Sequence, residues 1–240
     1  MVRARAGPEL IAFNDVSVAF GGVRPLDGLT AALTAPICGL VGPNGAGKTT
    51  LLNVISGFVR PLRGSIMLDQ TPLSSQGPAA RARAGIRRMF QHETLVLDMT
   101  LAANLQVAAD HLGGTNADIE AALAFTGLEH RRDWLGQDLN LTDRRLAEIA
   151  RVIIGSARLI LLDEPGAGLS GPEADRLCDL ILALPGKTGA QVLVIDHDMD
   201  LIRCLCHETL VLDFGKCIAL GETNDVLNSP AVRTAYLGAA

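Results

Sequence analysis

At 240 residues, 48% apolar and 20% charged, the chain is long enough to bury a substantial core, and its composition excludes a disordered polymer. A net charge of −5 argues against nucleic-acid binding as the main task, because a phosphate backbone demands a concentrated basic surface. No run approaches the roughly 18 to 20 apolar residues of a membrane span, and the start MVRARAGPEL lacks the apolar centre of a secretory signal, so a cytosolic chain is expected.

Leu10 to Leu33 reads as short strands, with alternation at Asn14, Val16, Val18 and Phe20 and a turn at Gly21 and Gly22. Ile37 to Val41 predicts a buried strand, and GPNGAGKTT at residues 42–50 follows it directly. That run fits the phosphate-binding template G-x-x-x-x-G-K-S/T at Gly42, Gly47, Lys48 and Thr49. A triphosphate must be wrapped by backbone N–H groups, and Gly42, Gly45 and Gly47 remove side chains that would hold the backbone away. Leu51 to Ile55 has helix-compatible spacing, so a helix N-terminus would face the phosphates. Gly64 to Leu68 predicts another strand.

Basic clusters at Arg81, Arg83, Arg87, Arg88 and at Arg131, Arg132 are expected on solvated helix faces. Residues 100–155 are rich in Ala and Leu with helical spacing, broken at Gly113, Gly114 and Gly127, which predicts a helical insertion. Leu159 to Leu162 and Val192 to Ile195 carry parallel-sheet character. A second GKT at Gly186, Lys187, Thr188 follows Pro185 and lacks a glycine five residues before its own; it is expected to be a surface turn. Leu210 to Asp213 and Cys217 to Leu220 flank Phe214, Gly215 and Lys216 as a closing hairpin would. Cys38, Cys178, Cys204, Cys206 and Cys217 show no paired metal-ligand spacing and read as small buried hydrophobes.

In the loop Gly42, Asn44, Gly45, Ala46, Gly47, Lys48, Thr49 and Thr50 would hold the phosphates of a nucleotide, Lys48 reaching the β and γ groups and Thr49 ligating Mg²⁺. Leu159 to Glu164 is an apolar strand ending in two carboxylates, at the end where open α/β sheets place ligands. Asp163 is then a metal partner and Glu164 polarises an attacking water; the alternative is a strand ending in solvated acids. His197 at the next strand end can meet a γ phosphate or the water, although a lone histidine is also often structural. Gln91 can reach Mg²⁺ through its amide, a weak signal by itself.

The order and spacing of the phosphate loop, Gln91, the LILLDEP run at 159–165 and His197 resemble ABC ATPase domains, from about Phe13 to Leu237. The resemblance implies one α/β domain over residues 1–240, with a P-loop core of mostly parallel sheet, an N-terminal antiparallel β part and a helical subdomain at about 92–155. It also implies two such domains closing head to tail over two ATPs. By matching position Phe20 resembles the aromatic that stacks on adenine, Gln91 the glutamine of the family's Q-loop, and His197 the switch histidine. GPNGAGKTTLLNVISGFVRP, RRLAEIAR, VLVIDHDM and PAVRTAYLG resemble the ATPase subunits of branched-chain amino-acid importers, whose relatives also serve amides or urea. On that basis the chain is expected to hydrolyse ATP with Mg²⁺ at the cytoplasmic face of the inner membrane, as a peripheral subunit. Its expected partners are two membrane-spanning permease subunits, a second ATPase subunit and, indirectly, a solute-binding protein, with no nucleic acid.

Where such domains carry an LSGGQ-like segment, this chain has Leu139, Asn140, Leu141, Thr142, Asp143, and Ser170 replaces an aspartate after the DEP run. Asn140 can serve as a helix cap, but Thr142 puts a β-branched side chain where a glycine would approach phosphate. The groups acting on this chain's own nucleotide are intact, while those facing a partner's nucleotide are altered. A heterodimer whose partner supplies an intact segment is the favoured expectation; a homodimer tolerating the change is the alternative. His92 to Thr100, with Leu95, Val96, Leu97 and Met99, is a candidate docking surface, or ordinary core. Two other classes compete. A soluble ABC ATPase acting on nucleic acid or ribosomes would usually bring two ATPase domains or a long coiled coil. A P-loop small-molecule kinase would need an acceptor pocket and a basic lid.

Overall fold

The computed structural model describes residues 11–73 and 76–237; Leu10, the expected start of the first strand, lies outside them. The chain runs through β1 (Ile11–Phe20), β2 (Val23–Leu33), β3 (Ile37–Val41), α1 (Lys48–Ser56), β4 (Arg63–Leu68), β5 (Thr71–Pro72), α2 (Pro78–Arg83) and β6 (Ile86–Met89). Three helices follow, α3 (Leu101–Leu112), α4 (Asn116–Thr126) and α5 (Leu141–Val152), separated by αL glycine caps at Gly113 and Gly127. The chain then returns to β7 (Leu159–Asp163), α6 (Gly171–Thr188), β8 (Gln191–Ile195), α7 (Met199–Leu205), β9 (Glu208–Asp213), β10 (Lys216–Glu222), α8 (Thr223–Asn228) and α9 (Pro230–Leu237).

Four strands form an antiparallel sheet ordered β2-β1-β4-β5, and six form a second sheet ordered β10-β9-β3-β8-β7-β6, parallel except for the edge strand β10. Strand residues of the second sheet alternate between two cores, as a period of two requires. Cys38, Leu40, Leu161, Leu193 and Leu210 face α1 and the antiparallel sheet. Ile37, Val41, Ile160, Leu162 and Val194 face the other side, where the helices from α3 to α7 contribute. Burial on both faces explains why these strands read as continuous apolar runs.

Several expectations are corrected. Gly186, Lys187 and Thr188 are the last turn of α6, which continues through Pro185 and ends at Gly189, an αL cap. The expected hairpin forms, but its turn is only Phe214 and Gly215, both at positive φ, and Lys216 already belongs to β10. Arg81 and Arg87 are buried, and Arg88 has a buried side chain. Arg81, 1% exposed, donates to the carbonyls of Val54, Ile55, Leu73 and Gln76, closing the C-terminus of α1. Helix ends leave carbonyls unsatisfied, and a guanidinium with five donors satisfies several at once. Arg131 stacks on Trp134 at 3.7 Å. Among the cysteines, Cys38 and Cys206 are buried, whereas Cys204 is exposed.

Candidate functional site

Register sets the site. Leu40 of β3 pairs with Ile195 of β8, and Ile195 with Asp163 of β7, so three strands end level. Met89 of β6 pairs with Leu162, which brings Gln91 level with Glu164. All four strands deliver their next residues to the carboxyl edge of one parallel sheet, where open α/β sheets take ligands. The carboxylate strand does not lie directly beside the loop strand: β8 separates them, leaving two strand spacings, roughly 10 Å, between the loop and Asp163.

The phosphate loop is braced from behind. A Cβ on Gly42 would meet the Leu212 carbonyl at 2.2 Å, and one on Gly47 the Pro25 carbonyl at 2.1 Å. Gly215 N–H donates to the Ala46 carbonyl at 2.9 Å, and Asp27 N–H to Gly215 at 3.0 Å. Two of the loop glycines therefore permit packing against protein, while Gly45 faces open space at φ +82°. Asn44, Gly45 and Thr49 are exposed; Ala46 is buried. Helix α1 starts at Lys48 with no side-chain cap and no acidic residue in its first turn. By contrast α3, α4, α5, α7 and α8 are capped by Thr100, Thr115, Asn140, Asp198 and Glu222. Uncapped N–H groups at a glycine loop suit an anion. The Lys48 ammonium donates to the Gly42 and Pro43 carbonyls, the latter at 3.0 Å. Burial lowers its pKa, while Glu164 and Asp163 pull the other way.

Across the site, Gln91 Nε2 donates to Glu164 Oε2 at 2.7 Å, joining two residues that the sequence placed 73 apart. Glu164 sits at φ +51°, its N–H donating to the Ile195 carbonyl at 2.8 Å. Asp163 Oδ2 accepts from Arg88 Nη2 at 2.8 Å, and Arg88 Nη1 donates to Asn53 on α1 at 2.8 Å. Arg88 therefore links the helix after the loop to the predicted metal partner, a role the charge-cluster reading missed. Asp196 is buried, with Oδ2 lacking a hydrogen-bond partner, and burial raises its pKa. His197 is 76% exposed, its Nδ1 3.6 Å from Asp196 Oδ1. Phe20, 55% exposed, ends β1. No group of three or more His, Cys, Asp or Glu side chains capable of holding a metal occurs among the described residues. One hydroxyl, one amide and one carboxylate fit Mg²⁺, which takes few protein ligands when phosphate oxygens are present.

A family model described as "ABC transporter" matches residues 33–167. The chain belongs to the ABC transporter family. The ATP-binding protein LivG of high-affinity branched-chain amino acid transport in Salmonella typhimurium is 33% identical over 251 residues, covering 96% of this chain and 98% of that protein. Its counterpart BraF of Pseudomonas aeruginosa is 32% identical, with the same coverages. LptB of a lipopolysaccharide export system in Acidithiobacillus ferridurans is 34% identical over 85% of this chain and 86% of that one. A solved ATP-binding cassette of an ABC transporter in its ADP conformation has a TM-score of 0.87 at 27% identity, covering 96% of this chain and 99% of that one. The fold is thus the α/β cassette of ABC ATPases, and the chain is an ATP-hydrolysing transporter subunit. Relatives serving amino-acid transport and lipopolysaccharide export leave the transported solute open.

In this ABC ATPase the departing segment closes on itself. Asn140 caps α5, accepting from Asp143 N–H at 2.7 Å, as its side chain predicted. The Thr142 hydroxyl donates to Glu173 Oε1. Ser170 caps α6 in a capping box, its N–H donating to Glu173 Oε2 at 3.0 Å. The Asp143 carboxylate pairs with Arg131 Nε at 3.3 Å. Of the expected docking stretch Leu95 is buried, and Val96 and Leu97 are exposed. Val96 also lines a groove of about 490 Å³ with Phe58, Phe90, Val107 and His111. No helix among the described residues is long and apolar enough to cross a membrane.

Proposed function

We propose that this chain energises uptake of a branched-chain amino acid or a related amide, as a peripheral subunit on the cytoplasmic face of the inner membrane. Two permease subunits, a different ATPase subunit and, indirectly, a solute-binding protein complete the transporter. The observation that carries the nucleotide reading is the level convergence of the loop at 42–50, Gln91, Asp163 with Glu164, and Asp196 with His197 on one sheet edge. Similarity to LivG and BraF along nearly the whole chain supports the amino-acid assignment.

On this reading Asn44 to Thr50 and Gly42 bind the phosphates, Lys48 exchanging its loop carbonyls for phosphate oxygens, and Phe20 stacks on adenine. Mg²⁺, held by Thr49, Gln91 and Asp163, would neutralise developing charge on the transferred phosphoryl group. Arg88 keeps one oxygen of Asp163 fixed and leaves the other available. Gln91 holds Glu164 by a hydrogen bond; were its amide engaged by Mg²⁺ instead, the freed carboxylate could orient water, with His197 placed to report on the γ phosphate. The groove beside Val96 receives a segment of a permease subunit. Lys48→Ala is expected to weaken ATP binding about tenfold or more, while Glu164→Gln keeps affinity and loses turnover by about 10²-fold. Equilibrium titration of the chain and phosphate release by the assembled transporter check both; turnover persisting in Glu164→Gln would refute the assignment.

A further inference from the structure

We propose that Glu173, by joining Thr142 to Ser170, closes the partner-facing surface of this chain against a second copy of itself. The inference rests on reading the chain as half of a composite ATPase. The two positions that depart from the family pattern, 28 apart in sequence, meet on a single carboxylate: Thr142 Oγ1 donates to Oε1, and Ser170 donates to Oε2 through both N–H and hydroxyl. The two segments are also packed together, since a Cβ on Gly168 would come within 3.2 Å of the Leu141 side chain.

At the N-terminus of α5 two groups that could bind an incoming phosphate are engaged elsewhere. The Thr142 hydroxyl is given to Glu173, and the Asp143 N–H to Asn140. Glu173 and Asp143 add two carboxylates where a negative ligand would arrive, and Arg131 is paired with only one of them. Hydrogen bonds from Ser170 and Thr142 favour the ionised form of Glu173 and hold its pKa down to about 2. In a pair of identical copies both nucleotides would face this surface; in a mixed pair only one does. Repulsion of the wrong partner is a general source of specificity, and here it selects a different ATPase subunit.

The test is sedimentation velocity on the full chain with Mg²⁺ and a non-hydrolysable ATP analogue. The wild-type chain is expected to stay monomeric. The double substitution Thr142→Gly with Glu173→Gln is expected to strengthen nucleotide-dependent self-association by about tenfold or more, and Glu173→Gln alone to have a smaller effect in the same direction. Circular dichroism confirms that each variant folds, and the isosteric Glu173→Gln keeps the comparison valid if the double variant does not. A nucleotide-dependent wild-type dimer, or variants no stronger than wild type, would overturn the proposal. Equilibrium dialysis on the same samples separates the two claims. Those outcomes with analogue bound refute the role of Glu173 alone, whereas absence of binding refutes the ATPase reading and this inference with it.

Discussion

Glu173 lies half-exposed at the first turn of α6, yet three hydrogen bonds from Ser170 and Thr142 favour its ionised form and lower its pKa from 4.5 to about 2. A carboxyl group with a depressed folded-state pKa contributes stability above its unfolded value, and loses that contribution as pH falls through the folded value. The window here runs from about pH 4.5 down to about pH 2. Urea midpoints measured across that window should fall more steeply for the wild-type chain than for Glu173→Gln; parallel curves would contradict the assignment. At this scale the sequence was legible where chemistry is local. Gly42, Gly45, Gly47 and Lys48 stand within seven positions and announce a phosphate loop. What it hid were pairings across long separations, such as Arg88 with Asp163, 75 apart, or Thr142 with Glu173, 31 apart. Charge alone suggested solvent for Arg81, because nothing local shows that the carbonyls ending α1 need a donor.

Helix α5 grips the segment that follows Gln91. Arg144 Nη1 binds Glu93 at 3.1 Å, and Arg151 Nη1 binds the Thr94 carbonyl at 3.1 Å. Glu148, fully buried, accepts from both the N–H and the hydroxyl of Thr94 at 2.8 Å. Positions 144, 148 and 151 share one helix face, so the grip is continuous along α5. A permease segment seated beside Val96 would thus act on a loop tied both to Glu164, through Gln91, and to the helix that starts at the altered segment. Replacing Val96 and Leu97 with Asp is expected to release the chain from membranes bearing its permeases while leaving ATP binding within about twofold. Retention in a flotation assay would sink the docking assignment. Glycine breaks made α3 and α4 readable, and alternation made β1 readable. Pro185 misled because a proline usually ends a helix, whereas here burial of Leu177, Ile181 and Leu184 holds α6 on its course past it.

The molecule as a whole is two cores on either side of one mostly parallel sheet, whose strands β3, β6, β7 and β8 bring the loop, Gln91, Glu164 and His197 to the same edge. Apolar runs indicated parallel strands, but their order is not written locally, and nothing in the sequence places β8 between the loop strand and Asp163. The proposed asymmetry of the chain is likewise a whole-molecule property: the loop, Gln91 and Glu164 would act on its own nucleotide, while Thr142, Ser170 and Glu173 would face a partner's. The decisive measurement is ATP turnover by the assembled transporter with Glu164 and the partner subunit's corresponding glutamate replaced by Gln one at a time. The asymmetric account predicts that Glu164→Gln removes nearly all turnover while the partner's substitution leaves most of it; equal losses would contradict it.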